Sequence, residues 1–240
     1  MKVKSHLISL AFLGSLLAAS FSRNPQALPV SEYIIERDAY VLSYDGQHRQ
    51  ARWVYEFLTE ERLKGKAKRS GNSFQEDPLI PAPLRSTAKD YRGSGLDRGH
   101  LCPAADAHAS REKIKETFYF SNISPQLPQF NQGYWAMLEG HVRLLTKDYK
   151  ALHVYTGPLY MPAEEDDGNR YVKYRVIGEN DVAVPTHFFK VIFAEKQEGN
   201  EDRIAYILPN MPIDSDTALE QFQVALEQVE KAAGMIFSHL

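Results

Sequence analysis

Tyr91-Arg92-Gly93-Ser94-Gly95-Leu96-Asp97-Arg98-Gly99-His100-Leu101 gathers two arginines, an aspartate, three glycines and a histidine in eleven residues. A glycine beside a histidine lets backbone and substrate approach closely, and arginines offer planar donors that match phosphate oxygens. Histidine titrates near neutrality and can take up a proton there. The stretch reads either as a phosphate-handling site with a general base or as a glycine-rich turn with solvated charges.

Working outward, the chain divides into short segments. Residues 33–44 are rich in β-branched and aromatic types, Asp45-Gly46 signals a turn, and 52–58 reads as the returning strand, so a β-hairpin is expected. Residues 59–96 hold Pro78, Pro81, Pro83, Gly93 and Gly95 and lack periodicity, which predicts a long surface connection. Beyond the focal stretch, 103–109 reads as loop, 111–116 as a short helix and 118–123 as a buried extended segment. Between 131 and 148, Tyr134, Trp135, Leu138, Val142 and Leu145 recur at three and four residues, one face of an amphipathic helix. Strands are expected at 152–155, 171–177, 186–194 and 203–208, with an acidic, solvated turn at 164–168. A closing helix is predicted from Thr217 and Glu220 as a capping box, with Phe222, Leu226 and Val229 on one face and Gly234 at its end. Strands and helices mix without a βαβ repeat, so the fold class is α+β around an antiparallel or mixed sheet.

Composition bounds the function. The 240 residues suit one domain with a sizeable core. Residues 7–19 form an apolar run behind Lys2 and Lys4, followed by small residues, the pattern of a signal peptide over 1–22, with the domain at 23–240. The run is shorter than the roughly 20 residues of a bilayer span, so no stable membrane association is expected after its removal. Secretion or periplasmic export follows, with the mitochondrial intermembrane space as the alternative. Cys102 is the one cysteine, which excludes an intrachain disulfide and suggests a small buried thiol. Removing residues 1–22 takes the net charge from −3 to −5, because Lys2 and Lys4 go and no acid does. Polyanion binding through overall charge is thereby excluded, and any such binding needs a local patch. Arg62, Lys64, Lys66, Lys68 and Arg69 form one candidate.

His100 is followed by Asn122, Asn131 and Glu139, the first within Phe120-Ser121-Asn122-Ile123-Ser124-Pro125-Gln126 and the second within Phe130-Asn131-Gln132. With these motifs the chain resembles the DNA/RNA non-specific endonuclease family of the ββα-metal, or His-Me finger, class, and its endonuclease G-like members most. The likeness continues through Thr156-Gly157-Pro158-Leu159-Tyr160, Tyr171-Val172-Lys173-Tyr174 and Val184-Pro185-Thr186-His187-Phe188-Phe189-Lys190-Val191. It implies a ββα-metal nuclease fold, a mixed or antiparallel sheet flanked by helices, that hydrolyses phosphodiester bonds of DNA and RNA.

The resemblance also implies roles. His100 is the general base that activates water, Asn131 the protein ligand of a divalent metal, Arg98 a phosphate contact, and Asn122 a support for His100. A neutral oxygen ligand with water in the other positions suits Mg²⁺, with Mn²⁺ as a substitute. Glu139 lies eight residues after Asn131, about 12 Å along a helix axis at 1.5 Å per residue, so it is expected to hold the metal's water rather than the metal. Asp97 is expected to fix its loop through backbone hydrogen bonds. The family places a further arginine upstream on the substrate phosphate, for which Arg69, Arg85 and Arg92 are candidates, and Gln75 sits where related chains carry a basic residue. A homodimer is implied by resemblance alone. A catalytically idle nucleic-acid-binding protein on the same fold is the alternative, and the joint presence of His100, Asn131 and Glu139 argues against it.

Overall fold

The computed structural model describes residues 32–65, 67–68, 71 and 73–238. Residues 1–22, read as a signal peptide, and Arg69 lie outside them. The chain opens with three strands, β1 (Glu32–Glu36), β2 (Val41–Asp45) and β3 (Gln50–Leu58), so the expected hairpin is a three-stranded meander. The 33–44 stretch doubles back where the Arg37 N–H donates to the Tyr40 carbonyl at 2.8 Å. Strand-forming residues flank that turn on both sides, and no glycine or proline marks it.

Residues 59–96 also depart from the expected surface connection. Besides α1 (Glu60–Leu63), α2 (Ala88–Tyr91) and a 3₁₀ turn at Ala82–Leu84, the stretch buries Asp77, Ile80, Ser86, Asp90 and Tyr91. Asp77 anchors it by accepting both Arg37 Nη2 bonds, at 2.8 and 2.9 Å, and one from Ser121 Oγ at 2.6 Å. Pairwise polar anchoring of this kind leaves no periodicity in the sequence, which is why the segment reads as loop.

Next come β4 (Asp97–His100), α3 (Arg111–Glu116) and β5 (Ile123–Gln126). A π-helical turn over Phe130–Trp135 leads into α4 (Ala136–Leu145). Then follow β6 (Ala151–Leu159), the short pair β7 (Ala163–Glu164) and β8 (Arg170–Tyr171), and a second pair, β9 (Val176–Ile177) and β10 (Val182–Ala183). The strand expected over 171–177 is thus broken into the ends of two miniature hairpins, its middle exposed. β11 (His187–Glu195), β12 (Glu201–Pro209) and α5 (Leu226–Ala233) complete the chain. The closing helix is shorter than expected: Leu219–Phe222 is a separate 3₁₀ turn whose N-cap is Ala218, and Gly234 ends α5 in the left-handed conformation at φ 64°.

Six strands form one sheet in the order β1-β2-β3-β6-β11-β12, every pair antiparallel. β11 lies between β6 and β12, and its alternation feeds two cores. Phe188 and Ile192 join a cluster with Phe130, Trp135 and Leu138 from the π turn and α4, while Phe189, Val191 and Phe193 join Val229 and Phe237 at the other helix. The sheet is therefore covered by α4 on one face and α5 on the other, the α+β arrangement expected from the sequence. β4 and β5 form a separate two-stranded ribbon that hands over to α4.

Candidate active site

β4 pairs antiparallel with β5, Asp97 opposite Gln126 and His100 opposite Ile123. Strand alternation sends Arg98 and His100 to one side of this ribbon. Gly99 is needed where it stands, because a Cβ there would run into the Gln126 side chain. Phe74 closes over the pair: its ring lies 4.6 Å from the Arg98 guanidinium carbon and 5.6 Å from the His100 ring, and Phe118 meets His100 edge-on at 4.9 Å. Histidine and arginine are thus held by aromatic walls. Phe74 carries no sequence signal, because it sits alone in an unpatterned stretch.

Asn122 is fully buried and spends its carboxamide on backbone. Its Nδ2 donates to the carbonyls of Cys102 and Thr117, both at 2.9 Å, and its Oδ1 accepts from the Cys102 N–H at 2.9 Å. The Leu101 N–H donates to the Asn122 carbonyl at 3.0 Å. Asn122 therefore fixes the chain leaving His100 and does not reach the cleft. Cys102 is buried, as expected, and burial pushes its thiol well above the usual range.

Asp97 does more than the backbone role expected of it. Its Oδ2 accepts from Asn131 Nδ2 and from Gln132 Nε2, each at 2.8 Å. A carboxylate only accepts, so the amide nitrogen of Asn131 must face Asp97 and its carbonyl oxygen must turn the other way. The wide π turn carries Asn131 and Gln132 toward the ribbon, a winding that the three-and-four pattern of the helix does not reveal.

A cleft of about 270 Å³ results, lined by Arg98, His100, Pro103, Asn131, Gln132 and Glu139 among others. Four of the residues expected from the sequence, distributed over 42 positions between Arg98 and Glu139, meet there. A larger cavity, about 310 Å³, lies by Asp45, His48 and Tyr160 and shares no lining residue with it. Chemistry, not volume, singles out the cleft. Burial pushes the Glu139 carboxyl up to about 7; Lys190 and Arg143 pull it down and Asp106 adds to the rise.

The upstream arginines part company. Arg92 is exposed and lines, with Arg98, a second depression of about 230 Å³. Arg85 is committed elsewhere, donating to the Ile80 carbonyl at 2.7 Å and the Pro78 carbonyl at 3.4 Å and lying 3.5 Å from Glu76. Gln75 bridges to Tyr119 through its backbone.

Among the described residues no three His, Cys, Asp or Glu side chains gather as a metal cage. The donor set of the cleft, one oriented carboxamide oxygen and one carboxylate, instead suits a hard cation that keeps most of its water. Two antiparallel strands delivering a histidine, followed by a helix delivering an asparagine and a glutamate, define the ββα-metal nuclease class.

The profile of the DNA/RNA non-specific endonuclease family matches residues 18–240. The chain is 47% identical to the mitochondrial endonuclease G of Homo sapiens over 210 residues, 88% of this chain and 71% of that protein. It is likewise 47% identical over 206 residues to Nuclease C1 of Cunninghamella echinulata var. echinulata, 85% of this chain and 81% of that one. A solved structure of an EndoG/EndoGI complex superposes with a TM-score of 0.84 at 45% identity, covering 88% of this chain and 87% of that chain. The chain belongs to the DNA/RNA non-specific endonuclease family and is an endonuclease that hydrolyses nucleic acids.

Proposed function

We infer that the cleft between β4 and α4 is where DNA and RNA are cut, with a divalent cation, Mg²⁺ or in its place Mn²⁺. The observation that carries this is the carboxamide of Asn131, turned by Asp97 so that its oxygen is offered to a cation. When bound, the cation neutralises charge that builds on the phosphate and on the leaving oxygen. His100 takes the proton from the attacking water, held by Phe74 and Phe118 against rotation. Arg98, which makes no ion pair among the described residues, is available to a phosphate oxygen, and Arg92 extends that positive edge. Glu139 accepts hydrogen bonds from water around the cation, and Asn122 positions His100 from behind. Arg85 is the weaker phosphate candidate, since its guanidinium is already engaged.

Contacts to phosphate rather than to base edges account for indifference to sequence and sugar. The segment at 1–22 would carry the protein out of the compartment of synthesis, to a secreted or periplasmic location or, as the mitochondrial relatives favour, to a mitochondrial one. A homodimer remains part of the proposal by resemblance.

A nicking assay tests the reading. Supercoiled plasmid and single-stranded RNA should both be cut with Mg²⁺, and EDTA should stop both reactions. Cleavage that persists undiminished in EDTA would overturn the metal-dependent reading.

A further inference from the structure

Lys190 is only 2% exposed, in the middle of β11 between Thr156 on β6 and Tyr206 on β12. Lysine is almost never so deeply buried without a charge to answer. Its Nζ donates to Thr156 Oγ1 at 2.6 Å and lies 5.0 Å from the centre of the Trp135 ring. Trp135 precedes Glu139 by four residues along one helical path, so Lys190 stands on the core side of the helix that sends Glu139 into the cleft.

The charged groups around it come from four elements. β3 supplies Glu56, 1% exposed; the 3₁₀ turn Ala104–Ala107 supplies Asp106; α4 supplies Glu139 and Arg143; β11 supplies Lys190 itself. The Cys102 thiol completes the set. Arg143 is paired with Asp106 at 2.9 Å. Three carboxyls thus face two cations, and full ionisation would leave one negative charge in the interior, where an ion costs several kcal/mol. One bound proton removes it. Glu56 is placed to hold that proton: it is the deepest of the three, its Oε1 has no hydrogen-bond partner, and burial pushes its carboxyl well up. With Arg143 committed to Asp106, the cation left for Glu139 is Lys190, which pulls it toward the charged form more strongly than Arg143 does.

We propose that Lys190 is a positioning residue for cleavage: its buried ammonium is the counter-charge that lets Glu139 present a carboxylate, not a carboxylic acid, to the cleft near neutral pH. The consequence for cleavage rests on the role given to Glu139 above; the Lys190–Glu139 link does not. Lysine here is therefore an electrostatic support rather than packing.

Carboxyl ¹³C NMR of the glutamate-labelled protein follows Glu139 directly, its signal identified by its loss in Glu139→Gln. Lys190→Met should raise the Glu139 midpoint by about one pH unit or more, reducing its ionised fraction near neutrality roughly tenfold. Lys190→Arg should hold the midpoint within about half a unit. Lys190→Met combined with Asp106→Asn, which releases Arg143 to face Glu139 one turn away, should bring it back. Asp106→Asn alone should lower it, which keeps the test open should Lys190→Met fail to fold. A folded Lys190→Met protein with the wild-type midpoint, or an unmoved midpoint in Asp106→Asn, would overturn the proposal. Cleavage at pH 7 should fall about tenfold in Lys190→Met and recover in the double variant. A shifted midpoint with undiminished cleavage would overturn the role given to Glu139 and, with it, that of Lys190 in the reaction, while the charge link stood.

Discussion

On one side of β11, Phe189, Val191 and Phe193 pack against Val229 and Phe237, and every contributor is apolar. On the other, Phe188 and Ile192 flank Lys190, and the layer beyond holds Glu56, Asp106 and Glu139. The same strand thus serves a face that only stabilises and a face that gives up stability to keep charge behind a cleft. Buried ion clusters are poor sources of stability, since desolvation offsets most of the attraction. Their presence on one face marks where the chemistry lies, and the apolar face supplies the stability that this arrangement costs.

The sharpest way to break the contrast is to damage the apolar face alone. Phe189→Ala should destabilise by about 3–5 kcal/mol, the range for a truncated core phenylalanine. Measured by urea unfolding, that loss should leave cleavage per folded molecule unchanged at low temperature. Lost cleavage in the folded variant would mean the two faces are not separable.

A smaller effect belongs to the charged face. The folded Glu139 carboxyl titrates near 7 rather than at its ordinary 4.5. Its bound proton therefore stabilises the fold in full below about pH 4.5, and that contribution is lost as pH rises through about 7. Without metal, wild-type stability should fall across this window by up to about 3 kcal/mol more than that of Glu139→Gln, at 1.36 kcal/mol per unit. Parallel stability curves for the two proteins would contradict the burial of this charge.

The contrast also explains what the sequence revealed. The Asp97–His100 box, Asn131 and Glu139 are legible because the chemistry demands residue types in order, and the strands at 186–194 and 203–208 because a sheet buried on both faces leaves apolar runs. Hidden were features fixed by single contacts: the turn at Arg37–Tyr40, the anchoring of 59–96 through Asp77, and Phe74 against Arg98 and His100. The π turn before α4 was hidden too, because its apolar spacing matches an α-helix. Asp97 shows the limit most clearly: its type was visible, but that it turns the Asn131 amide depends on a partner 34 residues away.

The most direct test of the account is the cleavage rate of His100→Ala with Mg²⁺, beside its thermal melting. Loss of a general base predicts a rate reduced roughly 10²–10⁴-fold with the melting temperature close to that of the wild type. A folded His100→Ala protein cutting plasmid at the wild-type rate would contradict it.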